Sequence, residues 1–506
     1  NSYVVTPKIE EYLENFLEHY TDTFYNETGE IGAWISGYFG SGKSYLAKIL
    51  GLVTENRQVQ GIDAVKLFES RLDPDSSRTG SIKRHLSRMS QCDTHVMAFN
   101  INSLTDSKTS HLPRILLSQF YQSKGYSSNL LYASVIESEF DKLGKLSDLY
   151  SKIEEKTSSS WEDIRTNLSF YQRQVNQAVC ETAPDLFTCE DDVLNALRTA
   201  EQGEFFNVQS LVQILLQDIE SRQKTLNKPS RIVFVLDETG QWIEDESERL
   251  YQLQALVEEA AKEARGKIWF IITTHEDIGS VYQNARALQA DMKKIESRFR
   301  FKFSLTTENI EEVLKERIFK KTISGADEVK AVYNRNSGIL RDLGELKNSG
   351  QKLPSCDEDN FVTFYPFIPY HIHLIPDIVK SLRSHGGRGE QLSGSTRTLL
   401  AVTQDIISSG RREYLDLGVG ELVSFDEIYI NLAGDAEVPP DVRRELGRIT
   451  ETIHEGDLFT QRVAEVLYLI GEVPYIPRTV DNIARLLLQS TDEDLSRLVS
   501  MIQPEL

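Results

Sequence analysis

The chain has 506 residues, of which 40% are hydrophobic and 26% charged, enough to bury the cores of two to four domains. Its 77 Asp and Glu exceed its 56 Lys and Arg, and the net charge of −21 excludes a surface that attracts nucleic acid or anionic membranes as a whole. Four cysteines without metal-site spacing and apolar runs far shorter than the roughly 20 residues of a membrane span predict a cytoplasmic protein.

The first 126 residues alternate between helical and strand patterns. An amphipathic helix precedes a strand at Ile31–Ser36, a glycine-rich loop and a helix at Lys43–Leu50. A second strand, Thr94–Ile101, precedes a helix near residues 111–123. This alternation is typical of an α/β fold with a parallel sheet, and we interpret residues 1–126 as an N-terminal helix and the first half of the core of that fold.

The remaining chain divides into four further segments. Residues 127–229 are polar and helical in pattern, which predicts an inserted helical subdomain. Residues 230–306 return to strands and complete the core, residues 307–355 predict a helical lid, and residues 356–506 predict a mostly helical region with a winged-helix-like end. Because the chain begins at Asn1 and its last helical pattern runs nearly to Leu506, we expect it to be part of a longer protein.

The glycine-rich loop, "GYFGSGKS", follows the first strand and fits the phosphate-binding pattern G-x-x-x-x-G-K-[ST]. Its glycines allow backbone N–H groups to surround an anion, and the helix that follows adds partial positive charge. Lys43 is placed to reach the β- and γ-phosphates, and the Ser44 hydroxyl is placed to bind Mg²⁺. The sequence therefore predicts an ATP site formed by Gly37, Gly40, Ser41, Gly42, Lys43, Ser44 and Tyr45.

An acidic pair, Asp237 and Glu238, ends the buried strand "RIVFVL". In phosphate-loop enzymes a carboxylate in this place completes the Mg²⁺ site, which assigns Asp237 to the metal together with Ser44. Glu238 is then the candidate base that activates the attacking water. The alternative is that the pair merely ends a strand.

Thr273, Thr274 and His275 end the next strand. Their polar side chains are placed to contact a γ-phosphate or the attacking water, and we choose Thr274 as the candidate catalytic sensor. The alternative is that these side chains make only local hydrogen bonds.

Two arginines extend this site on the basis of a resemblance. The segment "IESRFRFKFSLTTENIEEVLKERI" is similar to AAA+ ATPases of the clamp-loader and origin-recognition kind. The resemblance implies that Arg298 is an arginine finger acting on a neighbouring subunit, and that Arg341, in "SGILRDL", is the second sensor of the lid. The alternative for Arg298 is an ordinary surface ion pair.

The ordered set "IGAWISGYFGSGKSYLAKIL", "VFVLDETGQWI", "TTHEDI", "RFRFKFSL" and "YPFIPY" resembles the BrxC/PglY P-loop ATPases of bacteriophage-exclusion (BREX) defence systems. The chain departs from the expected pattern in having His275 where a Gln is expected after the threonines. The resemblance implies an oligomeric ATPase that works beside a methyltransferase and other proteins in a defence complex.

The chain also carries features that bear on partners. Basic residues cluster at Arg78, Lys83, Arg84 and Arg88, and again at Lys380, Arg383, Arg388 and Arg397. Such clusters are usually solvated faces, and the second is the better candidate for DNA or phosphate contact. Three short helices are predicted within residues 460–502, and the last opens with three carboxylates, which favours protein docking over DNA reading.

The sequence as a whole predicts an ATP-hydrolysing, AAA+-like switch that uses Mg²⁺. One alternative is a nucleotide-gated DNA clamp or loader of the origin-recognition type, which the acidic balance disfavours. Another is a scaffold that holds ATP structurally, which Glu238 disfavours because a scaffold needs no catalytic base.

Overall fold

The structure is a computed structural model, and it describes most of the chain. Outside the described residues lie 1–3, 38–40, 105–110, 203–205, 244–245, 275–292, 294, 306, 386–398, 411, 435–437, 450–457 and 506. The chain forms two compact units, the first made of residues 1–38 and 42–305 and the second of residues 39–41 and 306–506.

The first unit is built on a five-stranded sheet in the order β4-β5-β6-β1-β7, in which every neighbouring pair is parallel. A separate two-stranded antiparallel hairpin pairs β2 with β3. The predicted α/β fold with a parallel sheet is confirmed. The described strands are β1 (Gly32–Gly37), β2 (Gln58–Val59), β3 (Ile62–Asp63), β4 (Asp93–Asn100), β5 (Ser230–Asp237), β6 (Ile268–Thr274) and β7 (Phe301–Leu305).

Helices cover both faces of this sheet. Alternate residues of β5 enter opposite cores, with Phe234 on the face covered by α5, α12 and α14, and Val235 on the face covered by α1 and α2. Burial on both faces explains why β5 and β6 are continuous apolar runs. The described helices of this unit are α1 (Pro7–Asp22), α2 (Lys43–Glu55), α3 (Ala64–Glu69), α4 (Thr79–Ser87), α5 (Leu112–Ser123), α6 (Leu130–Tyr132), α7 (Ser138–Lys142), α8 (Leu146–Thr157), α9 (Trp161–Ile164), α10 (Gln172–Thr182), α11 (Glu190–Gln202), α12 (Val208–Leu226), α13 (Thr239–Ile243) and α14 (Ser247–Glu259).

Helix α2, which follows the glycine-rich loop, is longer than predicted. It continues past Leu50 to Glu55 and ends where Asn56 adopts a left-handed backbone, with φ of 50°. Gly51 lies inside the helix and faces the sheet. A Cβ at this position would stand only 3.1 Å from side-chain atoms of both Val96 and Val235, which is a tight contact. The glycine therefore allows α2 to pack closely on the sheet rather than ending the helix.

Between β4 and β5, helices α6 to α11 form a core of their own, whereas α12, which the predicted insertion at 127–229 includes, packs on the sheet. Tyr132, Phe140, Ile153 and Val179 belong to an apolar cluster separate from the two that flank the sheet. A segment of wider π-helical turns, Ala133–Glu137, joins α6 to α7. The insertion is thus a packed subdomain rather than an extended loop.

The second unit is helical. Thr479 caps one of its last helices by accepting a hydrogen bond from the Asn482 backbone, and the three short helices predicted near the end of the chain are confirmed. None of the described helices of either unit is both long and apolar enough to cross a membrane. The described helices of the second unit are α15 (Thr307–Arg317), α16 (Ile323–Leu343), α17 (Glu358–Phe364), α18 (Pro369–His385), α19 (Leu399–Ser409), α20 (Phe425–Gly434), α21 (Pro440–Gly447), α22 (Leu458–Gly471), α23 (Val480–Leu486) and α24 (Leu495–Ile502).

Candidate functional site

The strand register places polar residues of distant sequence at one edge of the sheet. Asn100 at the end of β4 lies opposite Asp237 at the end of β5. Leu236 lies opposite Ile272, which puts Asp237 beside Thr273 on the neighbouring strand β6. Because parallel strands all end at the same edge, these side chains meet where α/β proteins usually bind ligands.

The glycine-rich loop enters the same edge from β1. Gly42 adopts a left-handed backbone, with φ of 91°, and immediately precedes α2. A residue with a side chain adopts this conformation at a cost, whereas glycine does not. The Lys43 ammonium donates a hydrogen bond of 2.7 Å to the carbonyl oxygen of Gly37, so it is held over the loop.

The structure describes only some of the other residues that were predicted to form the loop site. Tyr45 is exposed at the start of α2. Gly40 lies outside the described residues, and the buried Ser41 hydroxyl has no hydrogen-bond partner among them. The structure therefore brings together Gly37, Gly42, Lys43 and Ser44, the end of the loop on which the phosphate-binding prediction chiefly rests.

A hydrogen-bond network joins the loop to the acidic strand end. The Ser44 hydroxyl donates to Oδ1 of Asp237 at 2.9 Å, across 193 residues of sequence. The Thr273 hydroxyl donates to the same oxygen at 2.7 Å. Thr273 also accepts a hydrogen bond of 2.9 Å from the Glu238 backbone N–H. One threonine therefore fixes both members of the acidic pair.

Glu238 is held by a residue that the sequence analysis did not select. The side-chain amide of Asn100 donates to Oε2 of Glu238 at 2.5 Å. The Asn100 amide oxygen accepts hydrogen bonds from the backbone N–H groups of Asn102 and Ser103, which fix the orientation of the amide. Glu238 itself has a φ of 59°, in the left-handed region that non-glycine residues adopt rarely and mostly at sites where surrounding contacts enforce it.

The residues at this edge fit a magnesium ion. A serine hydroxyl and a carboxylate, already within hydrogen-bond distance of each other, are the oxygen ligands that Mg²⁺ prefers. Magnesium commonly binds through one or two such groups together with phosphate oxygens. Ser44 and Asp237 are the residues that could hold it.

Thr273 rather than Thr274 makes the described contacts of the predicted sensor position. Thr274 is buried, and among the described residues its hydroxyl has no hydrogen-bond partner. Both threonines lie in β6, but alternate residues of a strand face opposite ways, so only one hydroxyl reaches Asp237. His275 lies outside the described residues.

This difference gives a test of the network. We expect Thr273→Val to reduce the free energy of unfolding by about 1–3 kcal/mol, because the Glu238 N–H and the Asp237 carboxylate both lose a buried partner. Thr274→Val should leave it unchanged or slightly raised, because a hydroxyl without a partner is replaced by a methyl group. Urea unfolding followed by tryptophan fluorescence measures this, since all four tryptophans belong to the first unit. Equal losses in the two variants would contradict the assignment.

The two predicted arginines have described contacts with residues outside the network around Asp237. Arg298 ends a helical stretch before β7, and its guanidinium forms an ion pair of 2.6 Å with Glu258 while remaining 45% exposed. Arg341 belongs to the second unit, where its Nε donates to the Tyr333 hydroxyl at 3.2 Å. The described contacts of both are made with residues other than those around Ser44 and Asp237, and a role for either at the site stays a prediction.

Sequence reasoning missed Asn100 although a signal was present. The strand pattern "THVMAFN" ends in a polar amide at the same place in its strand as Asp237 in β5. Polar residues that end neighbouring parallel strands gather at one edge, so the order of the strands is enough to select it. That order becomes visible only in the folded sheet.

Comparison with known proteins adds little to this geometry. No family model matches the chain. Among solved structures, the chain is similar to the ORC2 protein of Aeropyrum pernix, solved as ADPNP–ADP complexes, with 11% sequence identity and a TM-score of 0.31. The alignment covers 100% of this chain and 96% of that one. At these values we base the functional assignment on the site alone.

Proposed function

We propose that the chain binds ATP with Mg²⁺ at the loop-bearing edge of the sheet and hydrolyses it. The observation that carries the proposal is the 2.9 Å hydrogen bond between Ser44 and Asp237. It joins the end of a phosphate-binding loop to an acidic strand end in the arrangement that P-loop NTPases use to hold a metal-bound nucleotide.

Each residue of the proposed ATP site has a separate role. Backbone N–H groups after Gly42 and the Lys43 ammonium bind the phosphates, and Lys43 exchanges the Gly37 carbonyl for a phosphate oxygen. Ser44 and Asp237 would hold the ion, which would supply positive charge to neutralise the phosphates. Glu238 accepts a proton from the attacking water, and Asn100 and Thr273 orient it.

The proposal is tested by nucleotide binding and phosphate release with and without Mg²⁺. We expect Mg²⁺-dependent release that chelation abolishes. Asp237→Asn keeps the shape and removes the charge, so it should raise the Mg²⁺ concentration needed for half-maximal activity. Asp148→Asn, an exposed position of the helical insertion, is the matched control. Absence of ATP binding by the wild-type chain would refute the proposal.

The biological setting is a further proposal that rests on the sequence resemblance alone. A BREX-type ATPase acts beside a methyltransferase in a defence complex and assembles with copies of itself, and Arg298 is then the residue offered to a neighbouring site. In the single chain the Arg298 guanidinium forms an ion pair with the Glu258 carboxylate. A neighbouring subunit must therefore replace that ion pair, which is exposed and hence weak.

DNA contact is a second candidate function, favoured by one observation on α4. Lys83 and Arg84 are exposed on this helix, and among the described residues no carboxylate pairs with either. Arg78, just before the helix, is in contrast paired with Glu14. In the second basic cluster, Arg388 and Arg397 lie outside the described residues.

We therefore expect Lys83→Ala/Arg84→Ala to weaken binding to a 20-base-pair duplex. Log affinity falls with log salt, and each lost phosphate contact makes this negative slope shallower by about one unit. The slope of the double variant should therefore be shallower than that of the wild type by up to about two units. The double variant Lys142→Ala/Lys262→Ala removes as much charge from lysines that are already paired with Glu139 and Glu263. Fluorescence anisotropy at several salt concentrations measures both, and equal slopes would exclude α4 as a DNA contact.

A further inference from the structure

A cavity in the second unit combines apolar walls with a lysine that pairs with no carboxylate among the described residues. It has a volume of about 200 Å³ and is lined by Ile318, Phe319, Pro366, Ile407, Leu415 and Val419 together with Lys321. Leu415 is 72% exposed and Val419 is 43% exposed, so the apolar lining continues onto the surface. All of these residues belong to the second unit, whereas Lys43, Ser44 and Asp237 belong to the first.

Lys321 is held in place by backbone groups. Its ammonium donates to the carbonyl oxygens of Phe319 at 2.9 Å and Thr363 at 3.1 Å. An ammonium has three protons to donate, and among the described residues these two carbonyls are its acceptors. Its neighbour Lys320 also lines the cavity, but it is 70% exposed and its ammonium forms an ion pair of 2.9 Å with Glu316.

The Lys321 ammonium is therefore a positive charge in the cavity that has no negative partner in the described part of the chain. Burial lowers the pKa of Lys321 to about 8, which leaves most of the side chain protonated at neutral pH. Glu421 also lines the cavity, but its carboxylate is already paired with Arg412. An anion that enters beside Lys321 would supply the missing charge and a third hydrogen-bond acceptor.

We propose that this cavity binds the carboxyl terminus of a partner polypeptide that ends in an apolar residue. The volume is of the order of one amino-acid residue, which suits a chain end rather than a longer segment. Its apolar walls contact the last side chain, and the Lys321 ammonium donates a hydrogen bond to the terminal carboxylate. The exposed Leu415 and Val419 extend the contact to the preceding residues of the partner.

The test uses the full chain and fluorescein-labelled peptides with the sequence Gly-Ser-Gly-Ser-Leu. Fluorescence anisotropy compares the free acid, the carboxamide and a free acid that ends in Gly. We expect the Leu acid to bind at least about tenfold more tightly than either of the others, because only it supplies both the charge and the apolar side chain. Equal affinities, or no binding of the Leu acid up to about 1 mM, would overturn the proposal.

Variants locate the contact. Lys321→Gln should abolish the preference for acid over carboxamide, whereas Lys320→Gln should keep it because Lys320 already pairs with Glu316. Ile407→Trp, which enlarges a side chain of the lining, should weaken binding of the acid with Lys321 intact. The wild-type comparison of acid with carboxamide decides the question even if Lys321→Gln does not fold. Tight binding of isovalerate without binding of the peptide would exclude a polypeptide as the occupant.

Discussion

Lys43→Ala is expected to lower the affinity for ATP on the order of 100-fold. The ammonium is the side-chain cation of the glycine-rich loop, and a hydrogen bond between charged groups in such a site contributes enough free energy for a loss of this size. In the structure Lys43 donates to the Gly37 carbonyl at 2.7 Å, so it is already positioned over the loop before a phosphate is bound. Isothermal titration calorimetry with Mg·ATP measures the change.

Lys48→Ala is the matched control for this experiment. Lys48 lies on the same helix, α2, and is exposed, so its removal changes the net charge equally without touching the loop. The control variant should bind ATP as the wild type does. If the two variants bind ATP with the same affinity, the loop does not hold the phosphates and the proposed function falls with it.

Glu238→Gln is expected to keep ATP binding and to lower turnover by roughly 10³-fold. General base catalysis contributes a factor of this order, and an amide cannot accept the proton from water. The amide oxygen of Gln can still accept the hydrogen bond that Asn100 donates to Glu238, so the geometry of the site should be conserved. Steady-state phosphate release gives the turnover, and calorimetry on the same preparation gives the affinity.

The control here is Glu248→Gln, the same change on the exposed part of α14. It should leave turnover and affinity unaltered. A Glu238→Gln variant that hydrolyses ATP at the wild-type rate would remove Glu238 as the base and favour a scaffold that holds ATP structurally. Loss of binding together with turnover would instead mean that Glu238 supports the loop.

The features of this protein that depend on a local pattern could be predicted from its amino-acid sequence. The glycine-rich loop is contiguous, and its glycines and lysine have one well-known use when they stand between a strand and a helix. Asp237 and Glu238 were predictable because they directly follow a continuous apolar run. Such a run is typical of a strand that is buried on both faces. The α/β class follows from the same alternation of strand and helix patterns.

The contacts between segments that are distant in sequence could be found only from the tertiary structure. Which threonine contacts Asp237 depends on which of the two lies on the same face of the sheet as that carboxylate, and the contact of Asn100 with Glu238 depends on β4 lying beside β5. The cavity around Lys321 likewise joins residues of α19 and of the chain after α15 and α19. Local propensity carries no information on strand order or on the packing of one element against another, because these are fixed by burial across the whole unit.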